Sequence, residues 1–183
     1  MPEWKYAETY RRNLPHWQPY GVPIFLTWRL ADSLPAEVVA ALVEEHNLLK
    51  KDPRWSDSNQ DWALIRQKQI FAKVDRLLHH AADSPHWLAQ PEVAQLVCDV
   101  LHEFDTVLYK LYAYVIMPNH VHVLLEPGFD EALQTPVPFR LITQKLKGIT
   151  ARQANLLLER TGQPFWSPES YILRPLDSRP AGI

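Results

Sequence analysis

The chain has 183 residues, of which 46% are hydrophobic and 22% are charged, with a net charge of −2 at pH 7. This composition is typical of a globular protein with one domain. The single cysteine, Cys98, excludes an intrachain disulfide and a zinc site made of several thiolates. The five glycines form neither G-x-G-x-x-G nor a Walker A pattern, which argues against a glycine-rich nucleotide-binding loop.

The chain has neither an apolar signal segment near Met1 nor a run close to the roughly 18 apolar residues of a membrane span. We therefore expect a cytoplasmic protein without a membrane partner. Residues 1–20 are rich in Trp, Tyr and Arg and are interpreted as an irregular N-terminal arm. A main domain is predicted over 21–171 and an irregular, proline-containing tail over 172–183.

The predicted elements follow the hydrophobic periodicity in chain order. An apolar, β-branched run predicts a strand over 22–30. Asp32-Ser33-Leu34-Pro35 is typical of a helix start, because a short polar side chain can cap free backbone N–H groups. The helical spacing of apolar residues then predicts three helices, over 36–51, 62–82 and 91–104.

The second half of the chain predicts a hairpin and a long helix. Strands are predicted over 107–117 and 120–126, and the Pro118-Asn119 turn between them favours a hairpin. A helix is predicted over 139–160, with Gly162 as its stop signal. The order predicts an α+β fold, with helices on one face of a small antiparallel sheet whose fourth strand is not placed.

His120 and His122 stand two residues apart on a predicted strand, so both side chains point to the same face. Two imidazoles on a rigid strand can chelate a divalent metal ion. Glu126 has the same parity and is a candidate for a third ligand. The alternative is a pair of exposed strand histidines without a ligand. The remaining histidines within the predicted helical region are interpreted as surface or packing residues: His46, His79, His80, His86 and His102.

A basic segment lies between residues 134 and 174, where six basic residues face two acidic ones, so that this segment carries +4 and the rest of the chain −6. Such a local basic face can hold a polyanion. The alternative is an ordinary solvated helix face. The six basic residues are Arg140, Lys145, Lys147, Arg152, Arg160 and Arg174.

Four segments carry a resemblance to a known family. YVIMPNHVHVLLEP at 114–127 resembles the His-hydrophobic-His signature of the REP-associated tyrosine transposases, which are single-tyrosine members of the HUH endonuclease superfamily and IS200-like. Three further segments resemble other parts of that family in the same order: FLTWRLADSLP at 25–35, LKGITARQAN at 146–155 and TGQPFWSPESY at 161–171.

The resemblance implies a ferredoxin-like antiparallel sheet with helices packed on it and a helical insertion. It also implies a homodimer and metal-dependent cleavage and transfer of single-stranded or hairpin DNA. In the family two histidines hold Mg²⁺ or Mn²⁺, a role that falls here on His120 and His122, and a tyrosine attacks the DNA backbone. A metal ion can offset the charge that develops on the phosphodiester, and a tyrosine can form a covalent phosphotyrosine.

Residues that could contact DNA follow from the same reasoning. The candidate contacts on the basic helix are Arg140, Lys145, Lys147 and Arg152, since cations position the phosphate backbone. Aromatic side chains beside cations suit unstacked bases, although core packing is the alternative. The aromatic candidates are Trp28, next to Arg29, and the pair Phe165 and Trp166.

The chain departs from the family at its end. The resemblance places the nucleophilic tyrosine on a helix well downstream of Phe165-Trp166, whereas only twelve residues follow Tyr171 and they include Pro175 and Pro180. Proline does not fit a helix interior. We therefore expect a truncated relative that nicks DNA poorly, with Tyr171 only a weak candidate nucleophile. Three other tyrosines are predicted to pack against the fold: Tyr109, Tyr112 and Tyr114.

Two alternative functions stay open at this stage. One is a nucleic-acid-binding module without catalysis, which the lack of the tyrosine helix favours. The other is a cupin-type metal protein, because His120, His122 and Glu126 match the spacing of a cupin metal motif. Few glycines, long helices and the lack of any histidine after His122 argue against the cupin.

Overall fold

The computed structural model describes residues 7–11, 15–18, 22–52, 60–132 and 134–173. In chain order the strands and α-helices are β1 (Ala7–Arg11), β2 (Pro15–Gln18), β3 (Ile24–Leu30), α1 (Ala36–Lys51), α2 (Gln60–His79), α3 (Pro91–Glu103), β4 (Tyr109–Ile116), β5 (His120–Pro127), β6 (Phe129–Asp130), β7 (Thr135–Pro136), α4 (Phe139–Leu157) and β8 (Trp166–Leu173). A short 3₁₀ turn, Trp87–Ala89, precedes α3. Within the described ranges, no helix combines the length and the apolar character needed to cross a membrane.

The main sheet has four antiparallel strands in the order β4-β5-β3-β8. With α3 between β3 and β4, and α4 between β5 and β8, the chain follows the strand–helix–strand–strand–helix–strand order of ferredoxin-like sheets. The predicted α+β class is confirmed, as is the hairpin of β4 and β5. Helices α1 and α2 are inserted into the first crossover.

One face of the sheet carries the larger hydrophobic core. Alternate residues of the two central strands, such as Leu26, Trp28 and Val123, point into it, because side chains alternate along a strand. Ile142 and Leu146 of α4 pack on them from outside and are at most 1% exposed. This face is therefore covered by α3 and α4.

The opposite face is covered by α2, which corrects the prediction of helices on one face only. Phe71 of α2 packs edge-to-face on Phe25 of β3, with ring centroids 5.6 Å apart. A second apolar cluster joins Leu42 of α1 to Val74 of α2, and Tyr171 of β8 packs against it. The apolar stripe of α2 thus packs against both α1 and the sheet. The periodicity of the stripe shows that it is covered, but not whether one element or two cover it.

Several boundaries differ from the predictions. Helix α2 ends at His79 instead of 82, and α4 ends at Leu157 instead of 160. Ser33 does not cap α1, which begins after Pro35 without a side-chain cap, and its Oγ instead donates to Leu30 O.

The predicted arm and tail are only partly described. The arm contributes the antiparallel pair of β1 and β2. The unplaced fourth strand is β8, which extends into the predicted tail as far as Leu173. The rest of the arm and residues 174–183, with the candidate Arg174, lie outside the described residues.

Candidate metal centre

His120 and His122 lie side by side on β5 and face α2, on the side of the sheet away from the main core. Their Nε2 atoms are 3.1 Å apart, and their ring centroids are 4.7 Å apart. The side chain of His120 is 1% exposed and that of His122 is 13% exposed. The sequence-based prediction that both imidazoles share one sheet face is confirmed by the geometry.

Helix α2 brings a carboxylate to the two imidazoles. Asp75 Oδ1 lies 3.1 Å from His122 Nε2 and 3.7 Å from His120 Nε2. This oxygen is buried and accepts no well-directed hydrogen bond from the part of the chain that the structure describes. One acidic oxygen and two ring nitrogens therefore converge on one point.

His79 stands one helical turn after Asp75 and adds a fourth group. Its ring packs edge-to-face on His120 with centroids 5.4 Å apart, and its Nδ1 donates to Asp75 O at 2.8 Å. Ligand atoms of Asp75, His79 and His120 all lie within 4.8 Å of one another. His79 is exposed, as its interpretation as a surface or packing residue expects, and the i, i+4 spacing on α2 also places it beside the Asp75 carboxylate.

The outer ring nitrogens of both strand histidines have polar partners. Asn119 Oδ1 lies 2.6 Å from His120 Nδ1, and Thr27 Oγ1 lies 2.7 Å from His122 Nδ1. Asn119 Nδ2 donates to Leu78 O, which can only accept, so Asn119 must turn its oxygen toward His120. His120 therefore carries its proton on Nδ1, and its neutral Nε2 presents a lone pair to the cluster.

Burial keeps the two imidazoles neutral. Desolvation, reinforced by neighbouring His122, lowers the pKa of His120 to about 4, although Asp75 opposes the shift. Burial likewise lowers the pKa of His122, against the opposing charge of Asp75. At neutral pH the two imidazoles are thus neutral, which is the protonation state in which a histidine binds a metal ion.

The donor set and its spacing fit a divalent cation. Ligand atoms about 2.0–2.2 Å from a common ion are separated by roughly 3–3.6 Å, close to the 3.1 to 3.7 Å observed. A bound cation would also satisfy the buried Asp75 oxygen. Two imidazoles and one carboxylate suit a first-row transition ion better than Mg²⁺, which prefers oxygen ligands.

Glu126 does not join this cluster. Glu126 lies four residues beyond His122 on β5. Its Oε2 accepts a hydrogen bond from Tyr112 Oη at 2.6 Å. The carboxylate that lies beside the two histidines is instead that of Asp75, which stands 45 residues before His120 and was missed. Its i, i+4 pairing with His79 on a helix was the available signal. A sheet with helices on both faces also excludes the β-barrel of a cupin.

The basic candidates lie on α4, on the other side of the sheet from the histidines. Arg140, Lys145 and Arg152 are exposed, and the seven-residue spacing of Lys145 and Arg152 puts them on one stripe of the helix. Lys147 is different: its ammonium donates to Ser167 O at 2.7 Å and to further oxygens of β8. Lys147 thus fastens α4 to the edge strand.

The aromatic candidates are core residues. Trp28 is 1% exposed, Phe165 is 2% and Trp166 is 7%, and the two tryptophans pack edge-to-face in the main core. Arg29 is also buried and donates to Ser33 Oγ. None of these four side chains offers a surface on which a base could stack, so core packing is the correct interpretation.

Tyr171 lies on the histidine face but is engaged by its neighbours. It pairs across the sheet with Thr27, which in turn pairs with His122. Burial raises the pKa of its phenol, while the adjacent Arg29 guanidinium opposes the shift. The phenol is therefore protonated at neutral pH and held by a buried cation.

Two of the other three tyrosines pack as predicted. Tyr109 is buried and donates to Leu101 O, and Tyr114 contacts Cys98 Sγ at 2.9 Å. Tyr112 is exposed, which corrects its interpretation as a packing residue. None of the three contacts the histidine pair in the described structure.

Comparison with known proteins gives a likeness among solved structures. No protein-family model matches the chain, and neither does any curated protein. Among solved structures, a protein of Deinococcus radiodurans that is provisionally described as a transposase is similar, with 16% sequence identity and a TM-score of 0.47. The similar region covers 86% of this chain and 82% of that protein.

Proposed function

We propose that this chain binds a divalent metal ion through His120, His122 and Asp75, and that it uses this centre to hold single-stranded or hairpin DNA in a transposase-like manner. The observation that carries the proposal is the convergence of two neutral Nε2 atoms and one buried carboxylate oxygen within 3.7 Å. The motif around the histidines, which resembles the HUH signature, supports the choice of DNA as the substrate class.

The residues around the centre have separable roles. Asn119 and Thr27 hold the two imidazoles with their Nε2 atoms inward. Asp75 would offset the positive charge of a bound ion through its Oδ1, which is buried, while the side chain as a whole is 31% exposed. A divalent ion bound there would supply Lewis-acid stabilisation to a phosphodiester oxygen.

The basic stripe of α4 would position the DNA away from the metal centre. Lys145 and Arg152 are exposed on the face of the fold that the histidines do not share. Cations that contact phosphates position the DNA without reading its sequence. DNA that contacted both the α4 stripe and the metal centre would pass around an edge of the β-sheet. Flexible single-stranded DNA can do this more readily than a duplex.

Within this proposal the chain binds DNA better than it cleaves it. Tyr171 is held by Arg29, and burial keeps its phenol protonated, which suits a structural role better than nucleophilic attack. These observations favour the DNA-binding module without catalysis over the active transposase. Positioning of a nucleophile is worth roughly 7–11 kcal/mol of barrier, so a Tyr171 that is not positioned for attack would cleave DNA very slowly.

A hairpin oligonucleotide with a single-stranded flank tests the proposal directly. Its binding is measured with Mn²⁺ and with a chelator, for the wild type and for the His120→Ala, His122→Ala variant. We expect Mn²⁺ to tighten binding by the wild type, and the variant to lose only this increment. His80→Ala is the matched control, since this exposed histidine lies directly after α2 and its Nδ1 contacts Arg76 O instead of the cluster.

Two results would overturn the proposal. One is DNA binding that is the same with Mn²⁺ and with chelator, and the other is an Mn²⁺ increment that survives in the double variant. A denaturing gel of the same reactions reports on cleavage. A covalent protein–DNA adduct would show that the chain is an active transposase and that the binding-only function is wrong.

A further inference from the structure

Asn119 is buried in the turn between β4 and β5 and uses its whole amide. Its Nδ2 donates to Leu78 O and to Ser84 Oγ, both at 2.9 Å, and its Oδ1 faces His120 Nδ1 at 2.6 Å. The residue is 3% exposed. One side chain therefore connects the last turn of α2, the loop after that helix and a histidine of β5.

The backbone of the same residue adds a further link. Asn119 O accepts a hydrogen bond from Leu30 N, at the end of β3, at 2.8 Å. The contact at Leu78 matters because the last four carbonyls of a helix lack partners within the helix. Asn119 thus acts as a cap on α2 from a distant part of the chain, and its own position is fixed from the sheet.

We infer that Asn119 is the positioning residue that sets both halves of the metal centre. Its oxygen decides that Nε2 of His120 faces the centre, and its amino group holds the turn of α2 next to Asp75 and His79. Partners of this kind around a metal ligand typically change metal affinity by 10–100-fold when they are removed. The inference rests on the proposed metal binding, which it deepens by naming how the centre is assembled.

Two substitutions separate the two functions of the amide. Asn119→Asp keeps an oxygen that can accept from His120 but cannot donate to Leu78 O. Asn119→Ala removes both contacts. Ser84→Ala is the matched control, since it removes one acceptor of the amino group and leaves the contact between Asn119 and His120 intact.

The first measurement needs no metal. Nitrogen-15 NMR of the full chain at pH 7.5 reads which ring nitrogen of His120 is protonated. We expect Nδ1 to be protonated in the wild type, in Asn119→Asp and in Ser84→Ala, and a mixture of tautomers in Asn119→Ala. An unchanged tautomer in Asn119→Ala would overturn the inference, whether or not the protein binds metal.

The second measurement combines Mn²⁺ titration with hydrogen exchange of α2. We expect Asn119→Ala to weaken Mn²⁺ binding by 10–100-fold and to speed exchange in the last turn of α2. Asn119→Asp should speed exchange similarly while retaining Mn²⁺ affinity much better. If Asn119 had only a structural role, its variants would be less stable than the wild type but, when folded, would bind Mn²⁺ with equal affinity. That result would overturn the inference. Failure of the wild type to bind Mn²⁺ would contradict the proposed function alone.

Discussion

The buried, neutral state of His120 predicts a specific dependence of stability on pH in the metal-free protein. Its folded-state pKa is lowered from 6.5 to about 4. Well above pH 6.5 the imidazole is neutral in both the folded and unfolded states, so it contributes almost nothing to the pH dependence there. Between pH 6.5 and 4 the unfolded chain binds a proton that the folded chain does not, so the free energy of unfolding falls as pH falls.

The size of this effect follows from the two pKa values. At pH 5 the protonated form of an unfolded histidine with a pKa of 6.5 outnumbers the neutral form roughly 30-fold, whereas the folded His120 is almost fully neutral. This difference corresponds to a loss of about 2 kcal/mol between pH 7.5 and pH 5. The lowered pKa of His122 acts in the same direction.

Urea unfolding of the wild type and of His120→Gln in the presence of a chelator measures the effect. Glutamine cannot be protonated and can still donate to Asn119 Oδ1. The difference in unfolding free energy between the two proteins should therefore change by about 2 kcal/mol from pH 7.5 to pH 5, in favour of the variant. Equal pH dependence in both proteins would refute the reasoning that His120 is held neutral.

Other predictions concern α4 and Tyr171. Replacing Lys145 and Arg152 by alanine should weaken DNA binding similarly across sequences and reduce its salt slope by about 1.4, whereas Lys73→Ala, at an exposed ion pair with Glu45, should not. Lys147→Ala should lower the free energy of urea unfolding by about 1–3 kcal/mol, since oxygens of β8 lose a charged donor, while Lys145→Ala should change it by less than about 0.5 kcal/mol. Tyr171→Phe should leave DNA affinity within about twofold on a gel shift, and wild type and variant should both lack a covalent DNA adduct; an adduct that the variant loses would identify Tyr171 as the nucleophile.

Local patterns predicted the elements that carry the histidines. The alternation of Val121 and Val123 with His120 and His122 is a property of β5 alone, and Pro118-Asn119 marks the turn before it. Both signals depend only on neighbouring residues, so they can be recognised in the sequence without knowledge of the tertiary packing. The helices α1 and α3 were predicted for the same reason, from strong apolar periodicity.

Strand β8 and Asp75 depend on long-range packing and were therefore missed. Ser167, Pro168 and Glu169 have little preference for a strand, and β8 forms because β3 offers an edge with which it can pair. Asp75 reaches the histidines only because α2 folds back over the sheet. An apolar stripe shows that a helix is covered but not which surface covers it, so the third ligand could not be assigned.

The central claim is that Asp75 of α2 completes a metal centre with the two strand histidines. Calorimetric titration of the full chain with Mn²⁺ tests it most directly, using Asp75→Asn, which keeps the shape and removes the charge, and His80→Asn as the matched control. We predict one Mn²⁺ site in the wild type and in His80→Asn, and affinity at least tenfold weaker in Asp75→Asn. Equal Mn²⁺ affinity in Asp75→Asn and the wild type would contradict the claim.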